Sequence, residues 1–451
     1  MQTAETEIVQ RSESLSQCEN ELPAPAWLVD NKIHEVAFCR ELLSEHKVKC
    51  VNNQFYDVDG YIPDSEIKAE IYEKLKPHIT AGLANRVTQL LSALQYEAYS
   101  PEIVLDPNEI HLLNGTLNID GTFTEEKKFC YNRLNVRYNP EAEVPIVFLK
   151  FLEELLETED IATLQEWLGY LLTPSTKAQK MLMLVGNGGE GKSRIGVLLK
   201  EIFKEGMATG NLQYLETNPF ARAVLEKAYL FLDDDMKMEA LTQTNMLKTI
   251  ITNEGPMLIE KKRVQSYPAS IFSKLMGFGN GTLNAANDKS DAFFRRQIII
   301  STKPKPLDRV DNPFLVEKFI ENKEGIFLWM FKGLQRLYAN DFKFTISQRT
   351  ADNLQKSIED SCNIIGFMQD EQLVKFGSDL ECSTADLYSG YCYWCSLNSV
   401  TAMKKESFNL WVKQNHHRYN ITYSDYVISH SNGKKARGYR GIDTTYRSIV
   451  K

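Results

Sequence analysis

The stretch "MLMLVGNGGEGKSR", residues 181–194, constrains this chain more than any other. Met181–Val185 is an apolar run of strand length, and Ile195–Phe203 continues with the spacing of a helix. Between them Gly186, Asn187, Gly188, Gly189, Glu190, Gly191, Lys192 and Ser193 follow the pattern G-x-x-x-x-G-K-[ST], with Arg194 directly after. A strand that breaks into such a loop and then into a helix offers backbone N–H groups to phosphate oxygens. The lysine reaches the β- and γ-phosphates and the hydroxyl ligates Mg²⁺. The expectation is an α/β protein that binds a nucleoside triphosphate and Mg²⁺. The loop alone would serve a kinase, a GTPase or a transporter equally well.

The residues downstream narrow the choice. Apolar "YLFL" ends in Asp233, Asp234 and Asp235, the first of them 41 residues beyond Lys192. Adjacent acids at a strand end can hold a metal through water and polarise an attacking water. Asp233 is taken as the metal-side acid and Asp234 as the base, with Asp234 and Asp235 as the other register. A third strand, "KLMGFGN", ends at Asn280, and "RRQIIIST" reads as a fourth. Helices such as "LTQTNMLKTIIT" alternate with them, which indicates a parallel sheet with the ligand at its C-terminal edge. Asn280 is expected between the acidic strand and the loop strand, where an amide can orient water; Asn284 is a weaker rival. Arg295 or Arg296, in "DAFFRRQIII", would enter the site of an adjacent subunit and stabilise transition-state charge.

The rest of the chain frames this core. Residues 1–25 read as a flexible lead-in and 26–175 as an α-rich domain with a short hairpin. Residues 176–310 form the ATPase core, 311–375 a helical region, and 376–451 a small separate module. "NQFYDVDGYI" contains Asp57 and Asp59, which imitate a metal-binding pair but fit a β-turn better. "IHLLNGTLNIDGTF" signals a hairpin through its N-G and D-G pairs. The polar N-terminus has no apolar signal core, and no stretch approaches the roughly 20 apolar residues of a membrane span. The cytoplasm of a bacterial host is the expected location. The scattered cysteines fit a reducing compartment, and the C-x-x-C pair Cys392 and Cys395 reads as helix-face core rather than a metal site. The net charge of −8 argues against a general nucleic-acid coat, but residues 398–451 alone carry +7. That asymmetry is expected where one module touches phosphates.

Four elements within roughly 110 residues, "GNGGEGKS", "LFLDDD", "TNEGPMLIEKKRVQSY", and "MGFGN" with "DAFFRR", resemble a superfamily 3 helicase of the phage, plasmid and poxvirus primase-helicase type. The resemblance extends over residues 50–445. It implies an AAA+-like core flanked by an N-terminal helical domain and a C-terminal winged-helix region. It also implies a hairpin between the acidic strand and the Asn strand that lines the channel of a homo-hexamer. Lys261, Lys262 and Arg263 fall on that hairpin and would hold single-stranded DNA by charge. Lys404, Lys405 and Lys413 lie on or near the helix of the winged region. Lys434, Lys435, Arg437 and Arg440 surround its wing-like turn and would touch duplex phosphates. The family's usual proline after the Asn is replaced by "NGTLN", and three aspartates stand where an acid pair is usual. A polymerase-type primase domain has no room here, so a separate primase is an expected partner.

The resulting expectation is an ATP-driven, ring-forming replicative DNA helicase of a phage or mobile element. Two other classes remain open: an origin-binding initiator that melts or loads, and a nucleotide-regulated assembly ATPase acting on protein partners.

Overall fold

In the computed structural model, the described residues are 25–237, 241, 243–281, 291–306 and 308–445. Asn284 lies outside them. The chain is mixed α/β, and its centre is a five-stranded parallel sheet of β1 (Met181–Val185), β2 (Met207–Thr209), β3 (Leu230–Met236), β4 (Lys274–Gly279) and β5 (Gln297–Ser301). The spatial order is β2-β3-β4-β1-β5. The loop strand β1 is therefore an interior strand, buried on both faces, and its continuous apolar sequence follows from that position. The acidic strand β3 and the loop strand are separated by β4, so Asn280 falls between them as its spacing requires.

Four helices matter to what surrounds the sheet: α1 (Thr158–Tyr170), α2 (Lys192–Phe203), α3 (Leu212–Thr217) and α4 (Lys323–Ala339). The sheet has two apolar faces. Leu230 and Leu232 of β3 pack with Ile195, Leu198 and Leu199 of α2, in a core that also takes in Trp167 of α1 and Met330 of α4. Phe231 and Met236 point the other way, against Leu212 and Leu215 of α3. The first core runs from Ile110 to Phe344 and so joins segments before and after the sheet. Helices α1 and α4 approach closely because Gly169 and Gly333 face each other's backbone, where a Cβ would collide with Met330 O and Gln165 O.

The N-terminal part packs helices Glu35–Glu45, Asp64–Leu75 and Leu83–Glu97 around Trp27, Phe38, Phe55 and Ile71. Asp57 accepts the N–H groups of Asp59 and Gly60, the turn expected there. At the C-terminal end, β6 (Val374–Ser383), β7 (Thr422–Ile428) and β8 (Lys435–Thr444) form an antiparallel sheet in the order β6-β8-β7. Helices Thr384–Leu397 and α5 (Lys405–Asn415) pack on it. Cys395 and Cys382 are buried in that core beside Tyr391 and Phe408, and Cys392 packs at its edge. No helix of the described residues is long and apolar enough to cross a membrane.

One contact between the N-terminal part and the sheet is titratable. Lys227, just before β3, donates to Gln54 and sits 4.7 Å and 5.0 Å from the ring centres of Tyr56 and Tyr61. Burial pushes its pKa down from the usual 10.5 to about 8. Between those values the folded chain has already released a proton that the unfolded chain still holds, so stability contributed at this site rises with pH. Urea denaturation of wild type and Lys227→Met should show wild type gaining on the variant from pH 8 to pH 10. A pH-independent difference would refute the assignment.

Candidate functional site

The glycine-rich loop emerges from β1 at the C-terminal edge of the sheet and ends at the first turn of α2. Lys192 is buried at that turn and Ser193 is exposed beside it. The helix begins without a side-chain cap, leaving its N-terminal N–H groups and partial positive charge directed at the loop. Inside the loop lies a charged group of the chain itself. Glu190 is 2% exposed, and its carboxylate accepts the N–H groups of Asn187 at 2.5 Å and Gly188 at 3.1 Å. It also accepts Lys192 Nζ at 2.9 Å. Burial alone would raise the Glu190 carboxyl, but the bonds from Lys192 and from the loop backbone prevail and hold it below its usual range.

The three aspartates of β3 divide between the two faces. Asp233 is buried on the face of Phe231, and its Oδ2 accepts the N–H of Leu212 at 2.8 Å, anchoring the start of α3. Burial raises its carboxyl, against the opposing effect of that N–H. Asp234 lies on the face of Leu232: a side chain at Gly196 of α2 would begin 3.8 Å from Asp234 Oδ1 and 3.0 Å from Leu232 Cδ2. Asp234 and Asp235 are both exposed, and the pairing with β4 shifts register between Asp233 and Met236. The sequence expectation put Asp233 on the metal side. Strand alternation turns it away from the helix that carries Lys192 and Ser193, and the acid aimed at that helix is Asp234. Asn280 follows β4, and a side chain at Gly188 would begin 3.9 Å from its Oδ1. Loop, Asp234 and Asn280 thus meet at one edge of the sheet.

Arg295 and Arg296 are at the other edge. The Arg296 carbonyl accepts the N–H of Met181, the first residue of β1, so the pair lies about 16 Å from the loop at the usual rise per residue. Arg295 is exposed, while Arg296 is half-buried and donates to the carbonyl of Ala292. Lys180 joins them and donates to the carbonyl of Arg295. Burial and the two neighbouring guanidinium groups push the Lys180 pKa down. Three cations thus gather at an edge that their own chain's loop does not reach.

The segment Met257–Lys261 and Val264–Ala269 forms an antiparallel hairpin whose two turn residues are Lys262 and Arg263, both exposed. Lys261 differs from the expectation. Its Nζ is engaged by Glu226 at 2.6 Å and Tyr267 Oη at 2.5 Å, so it ties the hairpin to the sheet instead of being free for a ligand. In the C-terminal sheet Lys434, Lys435 and Arg437 are exposed at and after the turn from β7 to β8, with Arg437 3.8 Å from Asp425. Arg440 is exposed further along β8, Lys404 and Lys405 begin α5, and Lys413 lies 5.5 Å from the Tyr423 ring.

Arg309 has no counterpart among the sequence-derived candidates. From the segment after β5 it reaches back to donate to the carbonyls of Glu190 and Gly189, each at 2.8 Å, and pairs with Asp311 at 3.0 Å. Arg194 donates to the carbonyl of Asn312 in the same segment. The only sequence signal was a cluster of basic residues, Lys303, Lys305 and Arg309, soon after a strand.

The same fold occurs in the C-terminal region of NrS-1. Three apo structures of that region align with TM-scores of 0.52, 0.53 and 0.53 at 14%, 14% and 13% identity. They cover 89–91% of this chain and 98–99% of their own. Residues 184–296, from the loop strand to Arg296, match a family of unknown function, DUF5906. No curated protein matches the chain.

Proposed function

We propose that the chain is an ATP-dependent DNA helicase of phage or mobile-element replication, working as a ring with ATP bound between subunits. The observation that carries this reading is the split arrangement of charge: a phosphate-type loop, an acid and an amide at one edge of the sheet, and three cations at the opposite edge. A single chain cannot bring its own arginines to its own loop. Two chains placed head to tail can, and repetition of that contact generates a ring. The motif resemblance to primase-helicases and the fold likeness to the NrS-1 C-terminal region are consistent with a role in phage replication.

In this reading Lys192 and the loop N–H groups hold the phosphates. Ser193 and Asp234 have the donor types and positions to hold Mg²⁺, which when bound neutralises phosphate charge. Asp235 polarises water and Asn280 orients it. Arg295, the exposed member of its pair, serves the neighbour's site. Lys262 and Arg263 carry positive charge at the tip of the hairpin to the single-stranded backbone. The β7–β8 turn, with the start of α5, offers a second basic surface suited to duplex phosphates. A separate primase would complete the replication machinery.

ATP hydrolysis and strand displacement on a forked duplex test the reading. Lys192→Ala should reduce both at least a hundredfold, because it removes the charge opposite the transferred phosphate. Lys262→Ala should lower stimulation of hydrolysis by single-stranded DNA severalfold. Unwinding that persists in Lys192→Ala would overturn the mechanism. Hydrolysis indifferent to single-stranded DNA would instead favour an assembly ATPase.

A further inference from the structure

A loop of this kind receives an anion through a small set of donors, and here those donors already hold one. The N–H groups of Asn187 and Gly188 and the Nζ of Lys192 all converge on the Glu190 carboxylate. The carboxylate is inside the loop and not folded out beside it: a side chain at Gly186 would begin 2.9 Å from Glu190 Oε1. It is also shielded from water, at 2% exposure. These are the donors that the sequence pattern assigns to phosphate, and each N–H can be given fully to one acceptor only.

We propose that Glu190 is an internal stand-in for a nucleotide phosphate, and that a nucleoside di- or triphosphate binds by displacing it. The inference rests on the nucleotide-binding reading above and adds a competitor that is part of the loop itself. The loop keeps its anion-binding shape because the carboxylate satisfies donors that would otherwise be buried without partners. Arg309 holds the carbonyls of Gly189 and Glu190 from the outside, so the plugged conformation is fixed on both sides. The route out is local. Glu190 is flanked by Gly189 and Gly191, at φ +79° and +116°, and rotation at these two residues can swing the side chain away without moving β1 or α2. A polyphosphate brings more negative charge and more acceptor oxygens than a carboxylate, so it wins the exchange. Its apparent affinity is nevertheless reduced by the fraction of loops that are plugged.

The test is a titration of the full chain with fluorescently labelled ADP in the presence of Mg²⁺, comparing wild type with Glu190→Ala, Glu190→Gln and Lys192→Ala. Thermal melting without nucleotide confirms that each variant is folded. Glu190→Ala should bind about tenfold more tightly than wild type, as expected when a competing buried anion is removed. Glu190→Gln, which keeps the volume but loses the charge, should also bind more tightly, by a smaller factor. If both Glu190 variants bind equally or more weakly while Lys192→Ala abolishes binding, the plug is refuted and the nucleotide reading stands. If neither wild type nor the Glu190 variants bind, the nucleotide reading itself fails and the plug falls with it.

Discussion

Asp234→Asn is expected to reduce ATP hydrolysis at least a hundredfold while leaving nucleotide binding within a few-fold of wild type. Asp233→Ala should do something different. The two residues are adjacent in sequence, but strand alternation sends them to opposite faces of the sheet. Asp234 shares the face of Leu232 and α2, whose first turn carries Lys192 and Ser193. An asparagine there keeps the shape and loses the negative charge needed beside a metal and a reacting water, a loss that falls mainly on the chemical step. Asp233 instead holds the N–H of Leu212. Its removal leaves a buried donor without that acceptor, at a cost of about 1–3 kcal/mol, and loosens α3. Asp233→Ala should therefore melt several degrees lower and still hydrolyse ATP at temperatures where it is folded. Single-turnover hydrolysis, nucleotide titration and thermal melting on both variants distinguish the two roles. If Asp233→Ala loses the chemical step with its fold intact while Asp234→Asn retains it, the register is wrong.

That register marks where sequence reasoning stopped. The strand, the loop and the following helix were legible because an apolar run, a cluster of glycines and a renewed helical period each leave a local signature. Asn280 was placed correctly between two strands because a parallel sheet restricts where the end of an apolar strand can go. Three consecutive aspartates carry no such information: which one faces the helix depends on an alternation that starts at Leu230 and on a register shift after Asp233. The engagement of Lys261 was hidden for a different reason. Its partner Glu226 is 35 residues away in sequence and meets it only because the hairpin folds back on the approach to β3. Arg309 was missed because it acts across 119 residues on main-chain carbonyls, which have no side-chain identity to read in the sequence. The edge strand β2, three residues long, was too short for any periodicity to show. The plug formed by Glu190 was visible as a residue and invisible as a contact.

The arrangement of the arginines leads to an expectation that no single-chain site shares. Arg295→Ala, alone or with Arg296→Ala, should reduce hydrolysis by about a thousandfold or more, the scale at which a transition-state arginine acts. The variant should still bind nucleotide within a few-fold of wild type, because its own loop is intact and only the part of the affinity coupled to assembly is lost. Lys192→Ala should be comparably inactive while its arginines remain intact. In the proposed ring, mixing then creates interfaces in which a Lys192→Ala subunit supplies the arginine and an Arg295→Ala subunit supplies the loop. Such interfaces are complete, so mixing two inactive proteins should restore hydrolysis to a sizeable fraction of wild type at about equal proportions. The cluster of Lys180, Arg295 and Arg296 gives the physical reason to expect this. Burial and the two guanidinium groups already depress Lys180, and an anion brought by a neighbour relieves the repulsion among the three cations as it is bound. The same anion should strengthen the contact between subunits, so ATP should favour assembly in wild type and much less in Arg295→Ala, as measured by sedimentation. If mixing restores no activity although both variants assemble, the arginines do not act across a subunit boundary, and the ring mechanism loses the observation on which it rests.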